Sequence, residues 1–285
     1  MIHYATQAAR AQVARSDIPF HRYVFDDGSV WTEFYRDQNG YLLRFPGLAD
    51  FTVSADGTHV TAWPTEDSDA TTVEHLYINQ LVPLALSRQG RPAFHASVVT
   101  VPDGAIAFLA ETGRGKSTLA ASYALNGAMF LTDDALIIEE TPAGSMAQPS
   151  HASIRLWDDS KNALVGDEKL DSTTISYSSK ARLIGGDALP YSNAPCRLLA
   201  AFELGSEISQ GVTISELKGL DRYMAWLRNS FLLDVQDRDL LAKHFEWTHR
   251  ISSEVPTFAL DFPRDYAMLA DVRETVAKHL ITLYD

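Results

Sequence analysis

The sequence predicts an α/β fold: a core with a mixed sheet, built around one strand–loop–helix unit, plus a small N-terminal antiparallel β module. Three observations predict it. Ala105–Leu109 is an unbroken apolar run, the pattern of a buried strand, and it leads through a loop carrying Gly113 and Gly115 into the helical text Leu119–Leu125, stopped by Asn126-Gly127. A second apolar run, Ala128–Leu131, ends in Asp133 and Asp134. Upstream, residues 23–63 consist of short β-type segments separated by turn signals.

Residues 1–20 are polar and alanine-rich, without a pattern. The β segments follow: Ser29–Tyr35, Gly40–Phe45, Asp50–Val53 and His59–Trp63, with turns at Asp27-Gly28, Asn39-Gly40, Pro46-Gly47 and Asp56-Gly57. Links this short join antiparallel strands. Trp31, Phe34, Tyr35 and Tyr41 are read as core, since aromatic rings dominate apolar interiors. Pro64–Ala70 is a polar connector. Thr71–Leu86 has helical periodicity, and Pro83 is expected to kink or end that helix. Arg88–Pro92 is a break that places a boundary between a β-rich module with its linking helix (1–90) and the core (91–285).

In the core, Phe94–Val99 reads as a strand, and Pro102-Asp103-Gly104 turns it into Ala105–Leu109. The two strands form a hairpin, so the sheet is mixed rather than purely parallel, and His95 lies at one end of it. Ala135–Glu139 continues as a strand beyond the acidic pair, and Ser153–Trp157 is another. Asp158–Lys180 is polar and is expected to be a mobile loop over the site, its acidic residues a solvated face. Leu198–Leu204 is a buried strand, Asp221–Leu233 and Asp237–Ser252 are helices, Pro256–Leu260 is a last strand and Tyr266–Leu283 a terminal helix. No internal repeat or low-complexity segment interrupts this order.

The chemistry concentrates in Glu111, Thr112, Gly113, Arg114, Gly115, Lys116, Ser117 and Thr118. Glycines let a loop turn its N–H groups inward toward an anion, and the helix starting there adds unpaired N–H groups and a positive dipole end. In that setting Lys116 neutralises the β- and γ-phosphates of ATP and the Ser117 hydroxyl holds Mg²⁺. The usual pattern of such a loop is G-x-x-x-x-G-K-[ST], and its first glycine is here Ala110, which costs little if φ there is negative.

Composition narrows the partners. A net charge of −13 argues against nucleic acid as a general partner, since phosphate binding needs clustered Lys and Arg. Cys196 is the one cysteine, so no intrachain disulfide or cysteine-based zinc site is expected. No signal peptide and no membrane span is read, and the cytoplasm is the default location. His244, His249 and His279 lack metal-ligand spacing and are assigned no site.

At this point the residues resemble a known family, that of HPr kinase/phosphorylase and its shorter relatives, the HPr-kinase-like serine kinases, including those encoded beside lasso-peptide genes. The resemblance rests on F-H-A-S around His95, E-T-G-R-G-K-S-T, L-T-D-D, the tail V-P-T-F-A-L-D-F-P-R-D and the I-R-L-W segment around Arg155. It covers the chain from about Arg91 onward, and the β module more loosely. It implies phosphoryl transfer from ATP to a serine hydroxyl, on a core similar to phosphoenolpyruvate carboxykinase. Under it Asp134 matches the proton acceptor, Asp133 its acidic neighbour, and His95 the histidine supporting that aspartate. Bifunctional members also carry a metal-binding glutamate, and Ser153–Trp157 has none. A later arginine of the family corresponds to Arg182 or is served by Lys180.

Adjacent strand residues point to opposite faces, so only one of Asp133 and Asp134 faces the site unless the strand has already ended. Asp133 is either metal-associated or a structural cap. Arg155 either stabilises transition-state charge or pairs with Asp158 or Asp159. The expected substrate is a peptide or small protein, with a lasso-peptide precursor the specific choice, and a homo-oligomer is left open. Two other readings stand beside it: a small-molecule kinase acting on free serine or its like, and a nucleotide-binding switch or assembly factor that does no chemistry.

Overall fold

The computed structural model describes every residue except 26, 166–171, 176–177, 206–208 and 285. The chain divides into two compact units, one of Met1–Arg91 with Leu232–Leu241, the other of Pro92–Thr174, Ser179–Phe231 and Ala242–Asp285.

The first unit is a six-stranded sheet of β1 (His3–Thr6), β2 (His21–Val24), β3 (Val30–Asp37), β4 (Gly40–Phe45), β5 (Ala49–Ser54) and β6 (His59–Pro64), in spatial order β1-β6-β5-β4-β3-β2. Strands β3 to β6 are the four expected from the alternation. β1, by contrast, lies in residues read as patternless and pairs parallel with β6. All four of its residues are exposed, so no alternation marks it. Gly40 adopts φ 144°, and a Cβ there would lie 2.2 Å from the Val53 carbonyl oxygen, so only glycine fits this turn. Phe34, Leu43, Phe45 and Phe51 are fully buried, and Tyr35 and Tyr41 nearly so, as expected of a core.

The linking helix differs from expectation. It runs as α1 (Ala70–Leu76), a π turn (Tyr77–Leu81) and α2 (Val82–Arg88), passing straight through Pro83. Asp69 caps it, accepting the Thr72 N–H at 2.7 Å. The widened turn, in which the Val82 N–H reaches back to the Tyr77 carbonyl, gives the proline ring room and absorbs the missing donor.

In the second unit β7 (Ala93–Phe94), β8 (Ala96–Val101) and β9 (Gly104–Leu109) precede α3 (Lys116–Ala124). Next come β10 (Phe130–Thr132), β11 (Leu136–Thr141), β12 (Gly144–Gln148), β13 (Ser153–Leu156) and α4 (Asp158–Val165). β14 (Ser172–Ile175), β15 (Ser178–Ile184), β16 (Cys196–Leu204), β17 (Thr213–Glu216), α5 (Gly219–Arg228), α6 (Arg238–Glu254) and β18 (Thr257–Asp261) follow, and a 3₁₀ turn (Tyr266–Met268) opens α7 (Leu269–Tyr284). The main sheet has the order β10-β8-β9-β16-β12-β11-β7, with β18 on β16 and β17 on β18. It is mixed: β8 and β9 form the expected antiparallel hairpin, while β9–β16 and β16–β18 are parallel. β15, β13 and β14 make a small separate sheet.

Side chains alternate across β9. Ile106 and Phe108 pack with Leu119 of α3 and Val272 and Val276 of α7, whereas Ala105, Ala107 and Leu109 pack with Trp226 of α5 and Ile251 of α6. The strand that feeds the loop is therefore held on both faces.

Two expectations are corrected here. Asp158–Val165 is a helix, not a mobile loop: Asp158 and Asp159 favour its positive N-terminus, and Val165 and Leu164 join the core. The rest of that expected loop lies partly outside the described residues. The helix expected to reach Leu233 ends at Arg228: Asn229 and Phe231 turn aside to bond His95 and Ala93, and the chain from Leu232 belongs to the first unit. There the buried Asp234 accepts Arg36 Nε and Nη2 at 2.8 and 2.6 Å, and the Leu233 N–H donates to Ser87 Oγ. Among the described residues no helix is long and apolar enough to cross a membrane.

Candidate functional site

β9 delivers the chain into Ala110–Gly115, where Gly113 and Gly115 take φ of 86° and 89°. Nothing lies within 4 Å of a Cβ built on Gly113, so its glycine serves the left-handed backbone and not space. Gly115 caps α3, and its carbonyl accepts the Leu119 N–H at 2.9 Å. Among the described residues only Asp103 and Asp134 have positive φ without being glycine, so Ala110 sits in ordinary backbone and tolerates its methyl group. The side chains of Glu111, Thr112 and Arg114 are exposed on the loop.

Lys116 is buried and folds back across the loop, its Nζ donating to the Ala110 and Glu111 carbonyls at 2.6 and 3.0 Å. Burial pulls its pKa down to about 8, against the upward pull of the Asp134 and Asp133 carboxylates.

β10 ends at Thr132, and Asp134 takes a left-handed φ of 70°. The strand's alternation no longer applies, and both carboxylates turn into the site. Asp133 Oδ1 accepts the hydroxyls of Ser97 at 2.5 Å and Ser117 at 2.9 Å, and its Oδ2 accepts the Arg155 N–H at 3.0 Å. Burial, then the neighbouring Asp134 charge, raises the pKa of Asp133. For Asp134 burial acts upward as well, but the Arg155 guanidinium, with Lys180, outweighs it and holds the carboxyl well below the usual range. Arg155 donates through Nε and Nη2 to Asp134 Oδ2 at 3.0 and 2.5 Å, which settles its partner in favour of Asp134 over Asp158 or Asp159.

His95 occupies the break between β7 and β8, its N–H bonded to the Asn229 carbonyl at 2.5 Å. Its Nδ1 lies 3.0 Å from the Asp134 carbonyl oxygen and its Nε2 3.4 Å from Thr112 Oγ1. A carbonyl only accepts, so Nδ1 carries the proton. Burial and then the Lys116 charge lower the ring's pKa to about 4, leaving it neutral. Its support of Asp134 therefore runs through the backbone, not through the carboxylate.

Thr118 Oγ1 donates to Ser160 Oγ at 3.1 Å, and Ser160 Oγ lies 3.1 Å from Tyr266 Oη. Arg182, the cross-strand partner of Arg155, donates to Ser153 Oγ at 3.1 Å, and the Lys180 ammonium sits 5.1 Å over the Trp157 ring. Ser97, Ser160 and Tyr266 were missed by sequence reasoning. Ser97 alone carries a signal, standing two residues beyond His95 at same-face strand spacing.

The donors suit a hard cation. Among the described residues no group of three His, Cys, Asp or Glu forms a complete metal cage. Ser117 Oγ and Asp133 Oδ1, 2.9 Å apart, are the pair of oxygens here that could hold a divalent cation.

The sequence matches no protein-family profile and no curated protein. Among solved structures, the Hpr(Ser) kinase/phosphatase from Coxiella burnetii aligns with a TM-score of 0.27 and 12% identity, over 56% of this chain and 97% of that one. A TM-score at that level leaves the reading of the site to its own geometry.

Proposed function

We propose that this protein is an ATP- and Mg²⁺-dependent kinase that phosphorylates a serine hydroxyl of a peptide or small protein. The observation that carries the reading is the convergence of Lys116, Ser117, Asp133, Asp134 and Arg155 on one loop-to-helix junction. A switch needs only the phosphate cradle; it has no use for a second carboxylate held beside it.

Phosphoryl transfer asks for positioning and charge neutralisation. Lys116 exchanges the Ala110 and Glu111 carbonyls for the β- and γ-oxygens, while the loop amides and the start of α3 hold the phosphate chain. Ser117 and Asp133 would hold the metal, which when bound would supply positive charge to the developing phosphoryl oxygens. Arg155 turns from Asp134 toward the transferred group, and Asp134, released, accepts the proton of the incoming serine hydroxyl. Neutral His95 keeps the Asp134 backbone in place throughout.

The finer choice of acceptor, a lasso-peptide precursor serine, comes from the family resemblance of the motifs. The test is mass spectrometry after incubation with ATP, Mg²⁺ and candidate peptides, the one encoded by a neighbouring gene first. One added phosphate on a serine, lost in Asp134→Asn, supports the reading. Phosphorylation of free serine alone moves it to a small-molecule kinase. ATP turnover stimulated by a partner without a phosphorylated product moves it to a switch.

A further inference from the structure

The stretch Phe262–Tyr266, just beyond β18, plays no part in the steps above, yet it lies beside the start of α3. A Cβ built on Gly115 would lie 4.0 Å from Arg264 Cδ, so the arginine stem passes close to the residue that opens the helix. Two positions past Arg264, Tyr266 reaches Thr118 through the Ser160 hydroxyl.

Arg264 is placed by backbone. Its Nη2 donates to the Gly205 carbonyl at 2.9 Å and its Nη1 to the Phe262 carbonyl at 3.1 Å, and the guanidinium lies 4.1 Å over the Phe262 ring. Gly205 directly follows β16 and Phe262 directly follows β18. These strands run parallel with β9, so Arg264 stands at the carboxyl ends of three parallel strands, the edge at which open α/β sheets receive ligands.

Resting on the kinase reading, we propose that Arg264 is a nucleotide-binding residue that contacts the α/β end of the polyphosphate chain. The γ end of that chain is marked by Asp134 and Arg155. Gly115 and Thr118, at the start of the helix, belong to the part of such a loop that cradles the α- and β-phosphates. A planar guanidinium suits that place, because it bonds two phosphate oxygens at once.

The test is calorimetric titration of the full chain with MgADP and MgATP, for the wild type, Arg264→Gln and Arg264→Lys. Arg264→Gln is expected to bind both nucleotides about 10- to 100-fold more weakly, the range of a lost charged hydrogen bond. Its MgADP affinity should also depend less steeply on salt, which a purely structural defect does not produce. Arg264→Lys keeps the charge and is expected to bind with an affinity between those of wild type and Arg264→Gln, with circular dichroism confirming that it is folded, so the comparison survives if the glutamine variant fails to fold. MgADP affinity equal to wild type in both variants, or a loss confined to MgATP, overturns the assignment of Arg264 while leaving the kinase reading intact. A wild type that binds neither nucleotide overturns the kinase reading itself, and this assignment with it.

Discussion

Arg155 directs both its Nε and its Nη2 at a single oxygen of Asp134, Oδ2, at 3.0 and 2.5 Å. The pairing keeps the carboxylate ionised and weakly basic, and it must be broken before Asp134 can take a proton. Arg155→Met leaves a buried carboxylate without this partner. The expected cost is about 3–5 kcal/mol of stability at pH 7. Urea unfolding checks it, and the loss should shrink at low pH, where Asp134 in the variant is protonated.

Asp134→Asn is expected to slow phosphoryl transfer by about 10²- to 10⁴-fold, the usual contribution of a positioned base. Affinity for MgATP should change little, because the loop and Lys116 remain. Single-turnover transfer measured beside nucleotide titration separates the two. Transfer at the wild-type rate in this variant removes Asp134 from its role.

Lys116 gives the binding step a pH dependence. The charged ammonium is the form that attracts phosphate, and burial has lowered its pKa to about 8 in the free protein. MgATP affinity should therefore be level below about pH 8 and decline above it, approaching tenfold per pH unit. Lys116→Met should bind weakly and lose the decline. A profile that stays flat to pH 10 contradicts this account.

His95 contributes to acid sensitivity. Burial and the Lys116 charge hold its pKa near 4 in the folded state, below the ordinary value of 6.5. As pH falls from 6.5 toward 4, the unfolded chain takes up a proton that the folded chain refuses, so stability falls over that window. His151, lowered to about 4 by burial and Arg182, acts in the same direction. Thermal melting of His95→Asn across this range should show a shallower fall than wild type.

In the first unit, Arg36 supplies two bonds to the buried Asp234, and Tyr41 Oη lies 3.3 Å from the same carboxylate. Arg36→Ala should destabilise by about 1–3 kcal/mol. Chemical denaturation checks it, and Tyr41→Phe should cost less.

The sequence makes some of this legible and conceals the rest for physical reasons. β9 and α3 are readable because an apolar run, positive-φ glycines and a helix start are local signals. β3 to β6 are readable because alternation and turn residues are local too. β1 hides because a fully exposed strand has no alternation, and the passage of the helix through Pro83 hides because a π turn has no residue signature. Arg155 and Asp134 lie 21 positions apart, and no spacing rule foretells that they meet. The turning of both carboxylates into one site depends on where β10 stops, a boundary of the kind sequence patterns fix least well. Tyr266 reaches Thr118 only because α4 inserts Ser160 between them, in a segment whose polar text reads as loop.

The φ of 70° at Asp134 has its own bearing on which side chains that position accepts. Short polar residues that bond to nearby backbone tolerate such a twist, whereas longer ones resist it. Asparagine therefore preserves the shape and abolishes the proton acceptor, while glutamate preserves the acid and disturbs the shape. Aspartate alone meets both demands, so the change a chemist would judge mildest here, one extra methylene, is the one the main chain is least prepared to accommodate.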